Sequence, residues 1–376
     1  MLDKKHIKYF KKILPVDFVL SEEGDCWAYG YDNSKMHVMP ECVLFADSKA
    51  QIKDIVQYCF ENTIPITTRG RGTGNTGGSV PIENSVVLSL EKMNKIIDID
   101  VSNRLAVVQP GVINKTLQDE LQKENFFWGP DPSSQDYSTI GGNIANNSAG
   151  PRAIKYGTPR DNILGLEFIS GTGEIHKTGV KTSKGVVGLD LTRLFVGSEG
   201  VLGILSEATL KILPLNNSVK TFEITFETLK SASDMIIMLM TQPITPYKLE
   251  FVDEQSVKLI NSIKKNHFEI NTKSAVLLEI DGDVDFIDIQ SKKLLKLMQS
   301  KEHKKITIAE NKTEIAELWK ARKSLSPALK EIGGYKINED IAVPISNLTK
   351  LLNNLSIISK KYGVRIVNFG LSLIHI

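Results

Sequence analysis

Residues 69–78 are the part of the chain whose residue types are best suited to hold a phosphate. The segment reads Arg-Gly-Arg-Gly-Thr-Gly-Asn-Thr-Gly-Gly, with five glycines, two arginines and no apolar side chain. Glycine adopts the left-handed torsions that turn successive backbone N–H groups toward one anion. The composition therefore predicts a loop that binds phosphate through its main chain.

The same segment also satisfies the glycine spacing of a dinucleotide fingerprint, through Gly72, Gly74 and Gly77. That fold requires a helix at the third glycine and a crossover of about a dozen residues before the next parallel strand. Here only residues 78–84 separate the loop from the strand-like residues 85–90. The spacing therefore excludes the fingerprint. It favours a phosphate-binding loop between two strands, with a plain glycine-rich turn as the alternative.

Two further stretches are rich in glycine, serine and asparagine. Residues 131–150 combine small side chains with several asparagines, and residues 196–205 place three glycines around a strand-like run. Small residues let the backbone approach a large flat ligand, and asparagine offers donors and acceptors without charge. Taken alone, each stretch is equally consistent with an ordinary loop or a β-bulge.

The composition is that of an ordinary globular protein. The 376 residues are 41% hydrophobic and 24% charged, with a formal net charge of +2. This balance gives no sign of nucleic-acid binding. The three cysteines include no Cys-x-x-Cys pair, so neither a disulfide nor a thiolate zinc site is expected. Without a signal core or a long apolar run, we expect a cytoplasmic protein, free or docked peripherally on a membrane.

The chain divides by glycine content. We expect a helical segment over residues 1–35, glycine-dense alternation of strands and helices over 36–214, and a second domain over 215–370. In the second domain glycine is sparse, and alternating strands and helices predict an antiparallel sheet backed by helices, an α+β or ferredoxin-like arrangement. That pattern ends with a predicted helix over 347–362 and a predicted strand over 364–369.

Taken together, the ordered motifs resemble one family. They comprise residues 40–43, 69–81, 109–111, 130–133, 139–143, 156–157 and 197–203. The chain is similar to FAD-linked oxidoreductases of the vanillyl-alcohol-oxidase/PCMH type, in the branch of the glycolate oxidase FAD subunit and the cytochrome- or quinone-linked D-lactate dehydrogenases. The resemblance implies an α+β protein, with a PCMH-type FAD-binding domain of two α/β subdomains followed by a ferredoxin-like α+β substrate (cap) domain.

The resemblance also implies which residues line the cofactor. Residues 69–78 would hold the FAD pyrophosphate, with Arg69 or Arg71 adding charge unless either is a solvated loop residue. Covalently flavinylated branches carry a histidine in this loop; here there is none, so FAD is expected to be non-covalent. The expected cofactor-binding residues are Arg69, Gly70, Arg71, Gly72, Thr73, Gly74, Asn75, Thr76, Gly77, Gly78, Pro130, Asp131, Ser134, Thr139, Gly141, Gly142, Asn143, Asn146, Ser148, Gly150, Tyr156, Gly157, Glu199, Gly200, Gly203 and Ile204.

For catalysis the resemblance implies two cations in the second domain. Residues 317–322 are similar to a Trp-x-x-Arg element of the family, which makes Arg322 a candidate clamp for a substrate carboxylate. Lys336 matches a second basic anchor. For both residues, a surface charge on an amphipathic element is the alternative. The implied reaction is oxidation of a D-2-hydroxy acid such as glycolate or D-lactate, with electrons passed to a cytochrome, a quinone, an electron-transfer protein or partner oxidase subunits.

The resemblance ends at Gly370. Related enzymes continue with a His-x-Gly-Asp-Gly-Asn-x-His metal-binding element and, farther on, an acid–histidine pair, whereas residues 371–376 read Leu-Ser-Leu-Ile-His-Ile. We expect 371–376 to be a non-native tail on an incomplete second domain, so that the chain binds FAD but turns over weakly. A divalent metal is expected only in the full-length parent, and no metal ligand is assigned here. A naturally short homologue is the alternative.

Two rival functions remain open. The chain could be a non-catalytic flavin-binding subunit of a larger oxidase complex, because related subunits can keep the fold without the site. It could also be a sugar or phenol oxidase of the same fold. Those enzymes lack the Trp-x-x-Arg element and usually carry a flavinylated histidine, which disfavours that interpretation.

Overall fold

The protein folds into two compact units. A computed structural model describes residues 2–370, apart from 183, 266, 310, 326, 327, 330–336, 338, 340 and 342. The predicted anchor Lys336 and the predicted tail 371–376 lie outside the described residues. The first unit comprises the chain up to Ala149 and then Gly157–Leu215, and the second comprises Gly150–Tyr156 and the chain from Asn216 onward. The strand and helix pattern of the sequence gives no sign of the short excursion at 150–156.

The elements of the first unit alternate along the chain. Its strands are β1 (Val19–Leu20), β2 (Cys42–Phe45), β3 (Ile66–Arg69), β4 (Val86–Ser89), β5 (Ile96–Asp100), β6 (Leu105–Val108), β7 (Phe126–Trp128), β8 (Ile163–Ile169), β9 (Ile175–Gly179) and β10 (Ile204–Pro214). Its helices are α1 (Lys4–Ile13), α2 (Glu23–Cys26), α3 (Lys49–Glu61), α4 (Asn114–Lys123), α5 (Ile140–Ala145), α7 (Pro159–Asn162) and α8 (Leu191–Phe195). Helix α6 (Ala153–Tyr156) lies in the excursion and belongs to the second unit.

The first sheet of this unit positions the glycine-rich segment. Its order is β1-β2-β4-β3, with β4 parallel to both β2 and β3 and with β1 antiparallel to β2. Helix α3 covers one face through Ile52, Ile55, Val56 and Cys59, which recur at i, i+3, i+4 and i+7 and so form one apolar stripe. Because the neighbouring strand β4 is buried along its whole length, the end of β3 is rigidly placed.

The second sheet of the first unit is antiparallel, in the order β5-β6-β10-β8-β9, and β7 pairs with the far end of β10. Helix α4 packs on it through Leu117 and Leu121, and Trp128 is fully buried beside them. Helix α5 adds Ile140 and Ile144 to the same core. The second glycine-rich stretch is therefore fixed by the packing of this core.

The second unit is built on one antiparallel sheet. Its strands are β11 (Ser218–Phe226), β12 (Lys248–Val252), β13 (Ser274–Gly282), β14 (Lys305–Ala309) and β15 (Phe369–Gly370), in the order β14-β11-β13-β12-β15. Its helices are α9 (Leu229–Thr241), α10 (Glu254–Ile263), α11 (Val284–Gln299), α12 (Lys312–Lys323) and α13 (Leu348–Tyr362). The predicted mixed α+β class is confirmed.

The two faces of this sheet differ in chemistry because side chains alternate along each strand. One face is apolar: Phe222, Leu249 and Leu278 pack with α9 and α11. The other face carries carboxylates, including Glu250 and Glu279, both nearly fully buried. A buried polar face is unusual for a sheet with helices, and it marks this side as chemically distinct.

The last predicted strand is shorter than expected. Instead of residues 364–369, only Phe369 and Gly370 pair with β12. The preceding residue, Asn368, donates its backbone N–H to Asp253 Oδ2 at 2.8 Å, while its carbonyl accepts from the Asp253 N–H at 3.1 Å. Asp253 also caps α10. The capping side chain thus occupies the position where a longer ladder would continue.

Among the described residues, no helix combines the length and apolarity that a bilayer span requires.

We expect the cysteine thiols to be inert in the folded protein. Cys26, Cys42 and Cys59 are buried and free, and burial raises the pKa of Cys26 to about 11, that of Cys59 to about 12 and that of Cys42 further. At pH 8 about one thiol in a thousand, or fewer, is the reactive thiolate. Iodoacetamide followed by mass spectrometry should modify none of them in native protein and all three in guanidinium. Rapid native labelling at any one of them would contradict this burial.

Candidate functional site

The glycine loop (residues 70–79) follows directly from the end of β3 at Arg69. None of the backbone N–H groups of residues 71–79 donates a hydrogen bond to any described residue. Nine consecutive unused donors are uncommon, since main-chain N–H groups in folded proteins are nearly always paired with protein or water. The loop therefore offers the donors that an anionic group such as a pyrophosphate needs.

The glycines of this loop are required for different reasons. Gly72 and Gly77 have φ of +61° and +82°, a region that favours glycine. A Cβ on Gly70 would lie 2.5 Å from Thr139 Oγ1, so close packing excludes a side chain there. By contrast, a Cβ on Gly74 or Gly78 would meet nothing nearer than 3.9 or 3.5 Å. Open space beside these two glycines and free donors along the loop together fit a bound phosphate group.

The two arginines of the segment occupy different environments. Arg69 is buried, and its Nη1 donates to the carbonyls of Tyr31 at 2.7 Å and Ser79 at 3.4 Å. Burial lowers the pKa of Arg69, and nearby acidic groups oppose this shift. Arg71 is half exposed and pairs through Nη1 with Glu91 Oε2 at 3.2 Å. Arg69 therefore ties the end of the loop at Ser79 to the segment at Tyr31, whereas Arg71 is the cation accessible at the loop's surface.

The three glycine-rich stretches converge in the first unit. Gly70 packs against Thr139, and the nearest side chains to Gly78 are those of Glu199 and Asn146. The third stretch is tied to the second by the Glu199 N–H, which donates to the Ala145 carbonyl at 2.9 Å. These contacts bring Gly70 and Gly78 of the first stretch, Thr139, Ala145 and Asn146 of the second and Glu199 of the third together within the first unit.

Within the second stretch, the asparagines have different roles. Asn143 is buried; it accepts from Asn114 Nδ2 at 2.9 Å and donates to Ser138 Oγ at 3.1 Å. Asn114 also reaches the Pro130 carbonyl, which positions the predicted residues around 130–134. Asn146 is exposed, with Nδ2 on the Gly142 carbonyl at 3.0 Å. The buried pair shapes the site, and Asn146 lies at its surface.

Some predicted cofactor residues belong to the second unit. Gly150 and Tyr156 lie in the excursion, and the Tyr156 hydroxyl donates to Asp281 Oδ2 at 2.5 Å. Burial raises the pKa of Tyr156, and the hydrogen bond to Asp281 adds to this. Gly157 returns to the first unit with φ of +77°. The remaining predicted residues, Asp131, Ser134, Thr139, Gly141, Gly142, Ser148, Gly200, Gly203 and Ile204, all lie in the first unit.

In the second unit, Arg322 is held against the polar face of the sheet. Its Nε and Nη2 atoms both donate to Glu250 Oε2, at 3.0 and 2.8 Å, and its guanidinium lies 4.6 Å from the centroid of the Phe369 ring. No described residue accepts from Nη1. One edge of the guanidinium is therefore fixed by Glu250, and Nη1 is left without an acceptor from the described part of the chain.

One further ion pair and one histidine–carboxylate contact lie on the same sheet face. Lys248 Nζ contacts Glu279 Oε2 at 2.8 Å, and Trp319, one turn before Arg322 on α12, donates its indole N–H to Glu279. His267 Nε2 lies 3.0 Å from Glu223 Oε2. A cavity of about 20 Å³, room for roughly one water molecule, is lined by Glu223, His267, Glu250 and Arg322 together with apolar side chains. It is too small for an organic substrate.

Sequence reasoning missed two groups of residues. The segment before β2 wraps the loop: the Asn33 N–H donates to the Gly74 carbonyl at 3.0 Å, and Asn33 Nδ2 donates to Asn75 Oδ1 at 2.5 Å. No local pattern marks that segment. Glu250 was also missed, although the alternation of Lys, Glu and apolar residues along β12 indicates a strand with one polar face. Among the described residues, no three His, Cys, Asp or Glu side chains come together as a metal-ligand set.

The chain matches known sequences over both units. The FAD binding domain profile matches residues 40–179, and that of FAD linked oxidases, C-terminal domain, matches residues 215–371. The glycolate oxidase subunit GlcD of Bacillus subtilis is 36% identical over 343 residues, covering 91% of this chain and 73% of that protein. The chain belongs to the FAD-linked oxidase family. A D-lactate dehydrogenase of Anaerostipes hadrus is 30% identical, covering 97% of this chain and 78% of that protein.

Solved structures confirm the fold of this FAD-linked oxidase. An alkyldihydroxyacetonephosphate synthase superposes with a TM-score of 0.79 at 18% identity, covering 98% of this chain and 78% of that one. A p-cresol methylhydroxylase superposes with a TM-score of 0.67 at 20% identity, covering 81% and 65%. The predicted resemblance to the PCMH-type family is confirmed, and the protein is an FAD-dependent oxidoreductase.

We expect Arg69→Lys to destabilise this FAD-linked oxidase and reduce its flavin content. Lysine has a single nitrogen, so it cannot make the Nη1 bonds to Tyr31 and Ser79 and the Nη2 bond to Ala28 together. Hydrogen bonds to a charged donor contribute roughly 1.5–3 kcal/mol each. Urea unfolding should show a loss of about 2–3 kcal/mol, and the absorbance ratio of flavin to protein should fall. Arg71→Lys, which keeps an exposed charge, is the matched control. An unchanged unfolding midpoint in Arg69→Lys would show that the hydrogen bonds of the buried Arg69 guanidinium do not stabilise the loop.

Proposed function

We propose that this protein oxidises a D-2-hydroxy acid, glycolate, D-lactate or a similar compound, to the 2-oxo acid. The observation that carries the proposal is the similarity, along nearly the whole chain, to a glycolate oxidase subunit and a D-lactate dehydrogenase. FAD, when bound, would supply the hydride acceptor, its N5 atom, for the hydrogen on the substrate's α carbon, and a base would take the hydroxyl proton. The electrons then pass to a separate acceptor, such as a cytochrome, a quinone, an electron-transfer protein or a partner oxidase subunit.

In this proposal FAD is held non-covalently by the glycine loop. The free N–H groups of residues 71–79 bind the pyrophosphate, and the exposed Arg71 adds charge. Arg69 acts indirectly, by tying the end of the loop at Ser79 to the segment at Tyr31. The residues of the second and third stretches line the rest of the cofactor. The loop contains no histidine to which a flavin could be linked.

Arg322 is the proposed clamp for the substrate carboxylate. Because Glu250 occupies the Nε and Nη2 edge, a carboxylate would approach from the Nη1 side. The Phe369 ring holds the plane of the guanidinium, so the direction of the donors is set before a substrate arrives. Lys336, outside the described residues, remains the proposed second anchor.

A second candidate is a non-catalytic flavin-binding subunit. Two observations favour it: the Bacillus subtilis relative is named as one subunit of an oxidase, and Arg322 already has an ionic partner in Glu250. In such a subunit the pair would only stabilise the fold. The two candidates differ in whether the bound flavin is reduced by a 2-hydroxy acid.

We expect anaerobic addition of glycolate, D-lactate or D-2-hydroxyglutarate to bleach the flavin absorbance of the purified holoprotein, slowly, in keeping with the weak turnover expected from the sequence. Lactamide, which has the hydroxyl but no carboxylate, is the matched control and should leave the spectrum unchanged, because it offers no anion for a guanidinium to bind. A flavin that no 2-hydroxy acid reduces would refute the enzyme proposal and favour the non-catalytic subunit.

We expect Arg322→Lys to lower the kcat/KM for flavin reduction roughly 10- to 100-fold, the effect of losing one charge-assisted hydrogen bond. The loss should appear mainly in KM, measured by stopped-flow reduction under nitrogen. Lys320→Arg on the exposed side of the same helix is the control. If Arg322→Lys reduces its flavin as fast as the parent at every substrate concentration, Arg322 is not the clamp.

A further inference from the structure

Asp32 is a buried acidic residue outside every stretch predicted to bind the cofactor. The residue is only 3% exposed. One carboxylate oxygen, Oδ1, accepts the Ser34 N–H at 2.8 Å and forms a local turn. The other, Oδ2, is buried and has no hydrogen-bond partner among the described residues. Burial of an unpaired carboxylate oxygen is costly, so this atom needs a donor that the described protein does not supply.

The unpartnered oxygen faces the glycine loop. A Cβ built on Gly74 would meet Asp32 Oδ2 at 3.9 Å and no other atom within 4 Å. The next residue, Asn33, is tied to the loop through its main chain at Gly74 and its side chain at Asn75. Asp32 is therefore held beside the part of the loop where the main-chain donors are free.

The described residues around Asp32 offer it no ionic partner. Arg69 is close enough to interact electrostatically, but its hydrogen bonds go to the carbonyls of Ala28, Tyr31 and Ser79. Among the described residues, no cation lies within salt-bridge distance of Asp32. The phosphates that the loop would bind are acceptors and cannot serve either. In a dinucleotide, the donors nearest the pyrophosphate are the hydroxyls of the ribose on one side and of the ribityl chain on the other.

We propose that Asp32 Oδ2 accepts a hydrogen bond from a sugar hydroxyl of FAD that adjoins the pyrophosphate. The inference rests on the proposed role of the glycine loop and adds a residue to it. It gives the buried carboxylate a partner, and it makes the segment around Asp32 part of the cofactor site. The bond would be charge-assisted and so stronger than one between neutral groups.

Asp32→Asn tests the proposal on the full chain after removal of its flavin. The amide keeps an oxygen for the Ser34 N–H and replaces the unpartnered acceptor with a donor. We expect the Kd for FAD, measured by quenching of flavin fluorescence, to rise at least roughly tenfold. Asp98→Asn, at an exposed position of β5, should bind as the parent does. Asp32→Ser keeps one oxygen for the turn, and its Kd for FAD should match that of Asp32→Asn. It replaces Asp32→Asn in the test if Asp32→Asn does not fold.

Two smaller probes identify the hydroxyl. If the ribose supplies it, Asp32→Asn should weaken the binding of ADP and leave the binding of FMN unchanged. If the ribityl chain supplies it, the substitution should weaken the binding of FMN and leave that of ADP unchanged. Equal weakening of both would overturn the proposal, because Asp32 would then act on the loop alone. A Kd for FAD within twofold of the parent in folded Asp32→Asn would also overturn it.

Gly74→Glu separates this inference from the proposed function. An added carboxylate in the open space beside the loop should repel the pyrophosphate and abolish FAD binding. If Gly74→Glu loses FAD while Asp32→Asn does not, the loop holds the cofactor and only the role of Asp32 is wrong. If Gly74→Glu binds FAD as the parent does, the loop is not the cofactor site and both proposals fail.

Discussion

The buried guanidinium of Arg69 is the contact on which the shape of the glycine loop depends. It donates to the carbonyl of Tyr31, which precedes the loop in the chain, and to that of Ser79, at the loop's end. Because a side chain satisfies these carbonyls, the loop is fixed without consuming its own N–H groups. A loop closed by main-chain hydrogen bonds would have lost the donors that an anion needs. The structure thus combines a defined loop with free donors, at the cost of burying one cation.

The second unit solves a similar problem with carboxylates. Glu250 and Glu279 are nearly fully buried on the polar face of the sheet, and burying an unpaired charge would be strongly destabilising. Each therefore has its own cation, Arg322 for Glu250 and Lys248 for Glu279. Removing one partner would leave the other buried and unpaired. This matching fixes helix α12 against the sheet, and it places Arg322 without any contribution from a ligand.

The parts of the site that could be predicted from the sequence are those with a local signal. Glycine density marks residues 70–79 because left-handed torsions at Gly72 and Gly77 and close approach at Gly70 exclude side chains at those positions. The role of Arg69 could not be predicted, because residue type does not show whether a cation is buried, and its acceptor Tyr31 is distant in the chain. The position of Asp32 beside the loop could not be predicted for the same reason. The strand predicted over 364–369 was too long because a propensity pattern cannot detect that the Asp253 carboxylate accepts hydrogen bonds from Asn368.

The pairing of Arg322 with Glu250 bears on how an anion could be recognised there. An isolated guanidinium would attract any anion through its net charge, whereas a pair that is already neutral gives little long-range attraction. What remains is the direction of the donors on the Nη1 side, held by Glu250 and by the Phe369 ring. Recognition would then depend on whether a ligand presents a planar acceptor at the right angle. An arginine built into an ion pair in this way selects for shape, and a lysine at the same position could not.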